Sequence, residues 1–330
     1  MAATAQAAKY TTPNQPCAPS CQPAYAPSPC CAPTCNPSPY CGPNCIPAPY
    51  CGEINFRGEG LYWIAHLGGL ESAFGNTTIA TTVTPGVITT TVTEENVEPD
   101  FEWNPGFRVG ADMAFTCFTL GADWTHYNGR ASYNKDNQNG EWKIKYDVID
   151  VIFGRRFCVA PCFYFKPFIG ARGLKIHQTL QSHLPILFTA ITGNNTVFAD
   201  MNDKEDFWGI GPELGIEGNW YMGCNFSLYG TFDVVSYYGE VKTENFDTDT
   251  FTITVSANNS KKKYAFNTIG TDATIGFRWD KTWSQCNYDV LFMLKAGLEQ
   301  HRIYDFSNLG KDGTLSLDGA VFGAGIGFRY

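Results

Sequence analysis

From residue 54 to the C-terminus, apolar and polar residues alternate with a period of two. Between 207 and 220 the even positions are Trp, Ile, Pro, Leu, Ile, Gly and Trp, and the odd positions after Phe207 are glycine, glutamate or asparagine. A period of two puts successive side chains on opposite faces of a β-strand. Residues 268–280 and 287–299 repeat this alternation, and runs of that length match tilted strands that cross a membrane. The chain is therefore predicted to be all-β, with an apolar and a polar face on each strand.

The composition agrees with a membrane barrel and excludes a helical membrane protein. No apolar run reaches the roughly 18 residues that a transmembrane helix needs, and the mean hydropathy is −0.20. Aromatic residues make up 15% of the chain and glycine accounts for 33 of 330 residues, which suits interfacial girdles and strands that curve closed. Charges on the second face fit a polar lumen better than the apolar core of a sandwich. These features predict an antiparallel transmembrane β-barrel.

We predict about ten barrel strands, at residues 54–66, 104–116, 117–127, 142–157, 162–178, 205–221, 223–238, 265–280, 286–299 and 316–330. Long connections are predicted at 67–103, 128–141, 179–204, 239–264 and 300–315, and short turns at 116–117, 158–161, 222 and 281–285. The segments 77–84 with 87–93, and 186–192 with 196–199, are interpreted as hairpins within long connections; as barrel strands they would raise the count to 12 or 14. In bacterial outer-membrane barrels the strand number is even, long loops face outside and short turns face the periplasm.

The eight tryptophans are predicted to form two belts at the two membrane interfaces. The belt near the long connections would contain Trp63, Trp103, Trp124, Trp142 and Trp208. The belt near the short turns would contain Trp220, Trp279 and Trp283. Such a distribution is expected of a barrel whose strands span the bilayer from end to end.

The chain contains 13 cysteines, and all of them fall outside the long connections. Residues 1–52 are predicted to form a separate N-terminal arm, because segment 11–52 holds 12 of the 19 prolines and cannot form a regular helix or sheet. Eight cysteines lie on this arm: Cys17, Cys21, Cys30, Cys31, Cys35, Cys41, Cys45 and Cys51. The other five lie at short turns of the predicted barrel at residues 53–330: Cys117, Cys158, Cys162, Cys224 and Cys286.

This placement predicts disulfide cross-linking on one side of the membrane, the periplasmic side. An odd number of cysteines cannot all pair within one chain, so at least one thiol is free or bridges to a partner. The sequence Cys158-Val-Ala-Pro-Cys162 flanks a single turn, where an internal disulfide would be within reach. Two alternatives stay open, namely buried free thiols and zinc binding by the arm, although no histidine accompanies the paired cysteines there.

The polar face of the strands carries the candidate selectivity residues of a lumen. They are Arg108, Asp112, Asp123, Lys166, Arg172, Glu213, Glu217, Asp233, Asp272, Arg278, Asp289 and Lys295. Adding Arg57, Arg156, Arg329, Glu59, Asp150 and Glu299 gives eight positive and ten negative side chains on this face. Opposite charges away from bulk water are expected to pair with each other. Because an eight-stranded barrel fills its interior with side chains, ten strands are expected to leave at most a narrow path.

Catalysis finds little support in the sequence. The five histidines are scattered, and neither His-Glu-x-x-His nor Gly-x-Ser-x-Gly occurs, so we expect no enzyme, no cofactor and no metal site. The net charge of −9, with no basic cluster larger than the three lysines 261–263, argues against nucleic acid. Residues 1–10 lack the basic and apolar regions of a signal peptide, so an exported chain would be a mature form with an added methionine.

Three short motifs carry a resemblance to a known family. The segments GEGLYWIAH at 58–66, GRRF at 154–157 and FKPFIGARG at 165–173 resemble the Legionella-type major outer membrane protein family. That family includes the major-outer-membrane-protein-like porins of chlamydia-related bacteria, and the resemblance covers roughly 54–330. It implies an abundant, surface-exposed outer-membrane barrel, often described as a porin. The Pro/Cys arm has no counterpart in the Legionella-type pattern, but cysteine-rich envelope proteins are typical of chlamydia-like organisms, which favours that branch.

Three functions are compatible with these features. The preferred one is a porin for ion transport and passive diffusion of small hydrophilic solutes. The alternatives are a structural protein of a disulfide-linked envelope with little or no channel activity, and a surface adhesin that uses 67–103 and 239–264 for contact. The expected partners are the lipid bilayer, a disulfide-linked second copy or other cysteine-rich envelope proteins, and small hydrophilic solutes. The expected location is the bacterial outer membrane, with the arm in the periplasm.

Overall fold

The computed structural model of the chain describes residues 52–70, 76–84, 87–95, 99–115, 118–135, 138–160, 162–190, 193–223, 225–251, 254–284, 288–307 and 313–329. The predicted N-terminal arm therefore lies outside the described residues, apart from its last residue, and so do all eight of its cysteines. Cys117, Cys224 and Cys286 also lie outside them, whereas Cys158 and Cys162 lie within them.

The described chain consists almost entirely of β-strands. Their bounds are β1 Glu53–Leu67, β2 Asn76–Thr84, β3 Val87–Glu95, β4 Asp100–Phe101, β5 Trp103–Phe115, β6 Phe118–Lys135, β7 Gln138–Arg155, β8 Phe157–Ala160, β9 Phe163–Ala190, β10 Gly193–Gly223, β11 Phe226–Phe251, β12 Thr254–Ser284, β13 Asp289–Ile303 and β14 Leu315–Arg329. In the part of the chain that the structure describes, no helix is long and apolar enough to cross a membrane.

Ten of these strands close into a barrel. Going round the ring, the order is β1, β5, β6, β7, β9, β10, β11, β12, β13 and β14, and β14 pairs with β1. Every neighbouring pair in the ring is antiparallel. The remaining strands lie off the ring: β2 pairs with β3, β4 with β6, and β8 with β9. The predicted ten-stranded barrel is therefore confirmed, and segment 77–93 is a hairpin outside the ring.

Three of the predicted long connections are wrong, because barrel strands continue through them. Segment 128–141 is occupied by the ends of β6 and β7, segment 179–204 by β9 and β10, and segment 239–264 by β11 and β12. The β9–β10 ladder runs unbroken from Phe163 and Trp220 to Ala190 and Gly193. Beyond the bilayer both faces of a strand are in contact with water, so the sequence no longer alternates between apolar and polar residues. The backbone hydrogen bonds between neighbouring strands continue there all the same. We call this side of the barrel the hairpin end, and the side where β1 begins the short-turn end.

The outer wall of the barrel is a continuous apolar surface. Large apolar side chains at alternate strand positions are widely exposed there; Ile210 and Leu214, for example, are 57% and 62% exposed. On β12 the first and last outward positions of the band, Ile269 and Trp279, are ten residue steps apart. At about 3.3 Å per residue and a tilt of about 40°, they span about 25 Å along the barrel axis. That height matches the apolar band of outer-membrane barrels.

Aromatic residues mark both edges of this band, as predicted. At the hairpin end, Tyr62 stacks on Trp103 with ring centroids 5.4 Å apart, and both side chains are about half exposed. At the short-turn end, Trp220 and Trp283 are exposed. The other exposed tryptophans are Trp124 and Trp208, while Trp279 is only half-buried.

Two tryptophans do not belong to the predicted belts. Trp63 and Trp142 are completely buried and point into the barrel. Trp63 shares its strand parity with Arg57 and Glu59, which also point inward, so the period of two places it on the lumen side. The predicted belt position of these two residues is therefore wrong, because their side chains lie on the inward face of their strands.

The interior is built of two layers rather than one polar lumen. Along β1 the inward residues change from Arg57 and Glu59 to Leu61 and Trp63, and along β9 they change from Arg172 to Leu174 and Ile176. The apolar half lies toward the hairpin end, and we call it the apolar plug. It consists of Leu61, Trp63, Ala65, Leu67, Leu70, Tyr127, Ala131, Trp142, Ile144, Tyr146, Val148, Leu174, Ile176, Leu180, Phe207, Val235, Tyr237, Val241, Ile303, Phe306, Leu315, Leu317 and Val321.

Candidate functional site

The charged half of the interior surrounds a cavity of about 260 Å³. Side chains from nine of the ten barrel strands line it, and the exception is β14. Eleven of the twelve predicted selectivity residues are among them: Arg108, Asp112, Asp123, Lys166, Arg172, Glu213, Glu217, Asp233, Asp272, Arg278 and Lys295. The twelfth, Asp289, is the first residue of β13 and does not line the cavity. Asp289 does lie in a strand, as predicted. Because it is the first residue of that strand, its side chain lies at the rim of the barrel.

Strand β14 leaves room for charged side chains of its neighbours. A Cβ on Gly323 would lie 2.9 Å from Cγ of Glu59 and 3.2 Å from Cε of Lys295. Lys295 Nζ reaches Glu59 Oε1 at 2.6 Å, joining β13 to β1 across β14. The glycines of the sequence Gly-Ala-Gly-Ile-Gly at 323–327 therefore form the small face of a strand that passes beneath an ion pair, in line with the structural interpretation of this motif.

A first group of ion pairs joins strands that are not neighbours in the ring. Arg108 Nη1 lies 3.0 Å from Glu59 Oε2, and its guanidinium donates two hydrogen bonds to Glu299, of 2.9 and 3.1 Å. This bidentate pair connects β5 to β13 past two intervening strands. Arg57 donates to Asp112 at 2.6 Å and also pairs with Asp123. Carboxylates from several strands thus pair with Arg57 and Arg108, so neither guanidinium projects unpaired into an open, water-filled lumen.

A second group is centred on Arg172, which is 7% exposed. Its guanidinium contacts four carboxylates: Asp150, Asp272, Glu213 at 3.0 Å and Asp233 at 3.4 Å. These carboxylates come from four different strands, β7, β10, β11 and β12. One cation therefore holds four anions together at the centre of the barrel.

His301 links the two groups, and it was not recognised from the sequence. Its Nδ1 lies 2.9 Å from Asp272 Oδ1 and its Nε2 lies 3.5 Å from Glu299 Oε2. The sequence does contain a signal for this residue. His301 lies on the same face of β13 as the predicted lumen residues Lys295 and Glu299, because the three positions are an even number of residues apart.

A third group of charges surrounds the short-turn end of the cavity. Lys166 pairs with Glu217 at 2.5 Å, and the Tyr164 hydroxyl donates to Glu217 at 3.3 Å. Arg278 pairs with Asp280 at 2.8 Å. Most of the charged side chains that line the cavity thus take part in ion pairs. Within the described residues, no group of three or more histidine, cysteine or carboxylate side chains is arranged so that it could hold a metal ion.

The apolar plug closes the cavity toward the hairpin end. Trp63 lines the boundary: its ring lies 4.7 Å from the His301 ring, and the Arg108 guanidinium lies 5.9 Å from its centroid. On its other side Trp63 packs against Tyr127, with centroids 5.5 Å apart, and the Tyr127 hydroxyl donates to the Trp63 carbonyl oxygen at 3.1 Å. The charged network and the plug are therefore in direct contact.

The segment that follows β13 folds inward and completes the plug. Phe306 packs edge-on against Phe207 with centroids 5.8 Å apart. Ser307 accepts a hydrogen bond from Gln178 Nε2 at 2.7 Å and donates to Glu205 Oε2 at 3.3 Å. The backbone amides of Phe306 and Ser307 both donate to the Gly313 carbonyl oxygen, at 3.1 and 3.2 Å. Residues 300–315 were predicted as an outside loop, but this part of it is fastened inside the barrel.

The short-turn end carries the two cysteines that the structure describes. Cys158 lies on β8 and Cys162 lies directly before β9. Cys162 adopts a left-handed backbone conformation with φ of 66°, which turns the chain between these strands.

A closed antiparallel barrel with an apolar outer wall and a charged inner face defines a β-barrel protein of the outer-membrane type. A family model described as "Legionella pneumophila major outer membrane protein precursor" matches residues 51–325 of this chain. The chain therefore belongs to this major outer membrane protein family, as the sequence motifs predict.

Solved outer-membrane proteins resemble the chain only distantly. The outer membrane protease OmpT from Escherichia coli is 13% identical, with a TM-score of 0.35 and coverage of 84% of this chain and 96% of that chain. A FadL homologue from Pseudomonas aeruginosa is 10% identical, with a TM-score of 0.31 and coverage of 84% and 90%. No curated protein sequence matches the chain. The absence of enzymatic activity stays a prediction.

Proposed function

We propose that this protein is a structural barrel of the outer membrane, closed to free diffusion, that anchors a disulfide-linked network through its cysteine-rich arm. The observation that carries the proposal is the two-layered interior. A diffusion pore needs a continuous water-filled path, whereas this lumen has paired charges in one half and the apolar plug in the other. An ion crossing the plug would lose its hydration against a largely apolar wall, in which Gln178, Glu205 and Ser307 already hydrogen-bond to one another.

Passive diffusion, the function preferred from sequence, stays a prediction that competes with the closed barrel. It is supported by membership of the major outer membrane protein family and by the charge-lined cavity of about 260 Å³. Adhesion through 67–103 and 239–264 also stays a prediction. The hairpins that project beyond the bilayer are compatible with it, but none of their described contacts identifies a partner.

Electrical recording separates the closed barrel from the porin. Purified protein, shown to be folded by heat-modifiable gel migration, is expected to leave planar bilayers without stepwise conductance, because the plug interrupts the water path. The same preparation should be examined in parallel as Glu213→Gln/Glu217→Gln, which changes two carboxylates of the charged layer but leaves the plug intact. This variant is expected to be equally silent.

Stepwise conductance of the wild type would overturn the closed barrel. If the ion preference of those steps also changed in Glu213→Gln/Glu217→Gln, the porin would be the better account and these carboxylates would line its path.

The anchoring role predicts intermolecular disulfides formed by the arm. On non-reducing gels of membranes prepared with a thiol-blocking reagent, the protein is expected to run as a ladder that reductant collapses to a monomer. Replacing the eight arm cysteines by serine is expected to abolish most of the ladder. Cys158→Ser/Cys162→Ser is the matched control, because both residues lie at a turn of the barrel rather than on the arm, and it should keep the ladder.

Two results would contradict this anchoring role. Wild-type protein that migrates as a monomer without reductant would exclude cross-linking. A ladder that disappears equally in the Cys158→Ser/Cys162→Ser control would move the cross-link from the arm to the barrel.

A further inference from the structure

One basic side chain stands on the lipid-facing wall at the edge of the apolar band. Arg155 is the last residue of β7 and shares its outward face with Ile149, Val151 and Phe153, all widely exposed. The next charged residue on that face of β7 is Asp147, eight positions away at the hairpin side of the band. Arg155 therefore lies at the short-turn edge of the bilayer, where the acyl region meets the lipid headgroups.

Two aromatic rings hold the Arg155 guanidinium in place. Its central carbon lies 5.5 Å from the Phe118 ring centroid and 5.0 Å from that of Phe157. Phe118 stacks on Phe153 at 5.2 Å, and Phe157 stacks on Phe165 at 5.4 Å, so both rings belong to a packed cluster. A guanidinium that contacts ring faces keeps its in-plane N–H donors available for an oxygen ligand.

The described surroundings of Arg155 supply no carboxylate counter-charge. On the outward faces of β5, β6 and β9, residues at the same height are apolar or aromatic, among them Phe115, Leu120 and Phe163. Arg57, Arg108 and Arg172, which point inward, each pair with two or more carboxylates. In a medium of low dielectric constant, a cation without a protein anion attracts an anion from the solvent or the bilayer.

We propose that Arg155, with Phe118 and Phe157, binds the phosphate of an anionic glycerophospholipid in the periplasmic leaflet. The guanidinium fork matches two phosphate oxygens, and the acyl chains would lie on Phe153, Val151 and Leu120 above it. Arg155 lies at the short-turn edge of the apolar band, and the short turns of outer-membrane barrels face the periplasm, so the lipid within its reach is a phospholipid of the periplasmic leaflet. The site is independent of whether the lumen conducts, since Arg155 is on the outside of the wall.

Native mass spectrometry of detergent-purified protein tests this site. The protein is incubated with equal amounts of phosphatidylglycerol, phosphatidylcholine and lipid A, and the bound lipids are counted. One phosphatidylglycerol is expected to be retained preferentially, and Arg155→Gln should weaken its binding by roughly tenfold or more, the loss expected for a charge-assisted contact. Arg155→Lys, which keeps the charge but loses the planar fork, should show an intermediate loss.

Lys281→Gln is the matched control, because Lys281 is exposed at the same end of the wall, paired in register with Phe292 on β13. It is expected to bind phosphatidylglycerol like the wild type. Unchanged binding in Arg155→Gln, or an equal loss in Lys281→Gln, would overturn a specific site. Preference for lipid A would overturn the assignment to a phospholipid, and equal retention of phosphatidylcholine would show that net headgroup charge is not recognised. Heat-modifiable migration of each variant confirms that the barrel is folded.

Discussion

Replacement of Arg172 by methionine is expected to destabilise the barrel by about 3–5 kcal/mol at neutral pH, enough to impair refolding. The guanidinium contacts Asp150, Glu213, Asp233 and Asp272, which come from four strands. Methionine fills a similar volume but leaves these carboxylates facing each other away from bulk water. Removing one partner of a buried ionic group is costly because the charges that remain are uncompensated.

Urea titration of the folded fraction in detergent, followed by heat-modifiable migration, measures this loss. Arg130→Met provides the matched control, because Arg130 also pairs with a carboxylate, Glu102 at 2.6 Å, but its side chain is 55% exposed. The control should lose no more than about 1 kcal/mol, as is usual for exposed pairs.

A rescue experiment separates charge from packing. Arg172→Met combined with Asp150→Asn, Glu213→Gln, Asp233→Asn and Asp272→Asn is expected to regain most of the lost stability, because none of the four carboxylates is left without its cation. If the neutral variant is as unstable as Arg172→Met alone, the role of Arg172 is packing rather than compensation of charge. If Arg172→Met and Arg130→Met lose equal stability, the ionic centre does not hold the barrel together.

The strand count and the outward face were predictable because lipid imposes a strong and local constraint. Every outward position between Ile269 and Trp279 must suit the acyl region, so the period of two is visible without knowledge of neighbouring strands. Beyond the bilayer the constraint ends, and residues 239–264 read as loop although β11 and β12 continue through them. Backbone hydrogen bonds, which any sequence can make, maintain the ladder there.

The arrangement inside the barrel was only partly predictable. Parity identifies which side chains point inward, and eleven of the twelve predicted residues do line the cavity. Parity does not say which side chains meet across the lumen, because that depends on the register of strands far apart in sequence. The bidentate contact of Arg108 with Glu299 joins residues 191 positions apart, and Phe306 fills the plug from a segment without alternation. Both features arise from closure of the ring, which no local pattern encodes.

Replacement of Trp63 by alanine is expected to have the second large effect, on both stability and permeability. Trp63 is completely buried and lies between the charged layer and the plug, against His301, Tyr127 and Tyr146. Truncating a buried tryptophan costs about 3–5 kcal/mol because it removes contacts and leaves a cavity. That cavity would extend the water-filled space of the charged layer into the plug, so ion leakage is expected to rise.

Trp103→Ala is the matched control, because it also truncates a tryptophan to alanine but on the lipid-facing side of the barrel wall. Trp103 is 49% exposed on the lipid-facing side and stacks on Tyr62, so its loss should cost no more than about 1–2 kcal/mol and leave the bilayer silent. Both variants are compared by urea titration and by current across planar bilayers. If the wild type is silent and only Trp63→Ala leaks, the plug is the barrier to diffusion. If Trp63→Ala remains folded and as silent as Trp103→Ala, the charged layer alone closes the barrel, because its ion pairs already occupy the path that an opened plug would expose.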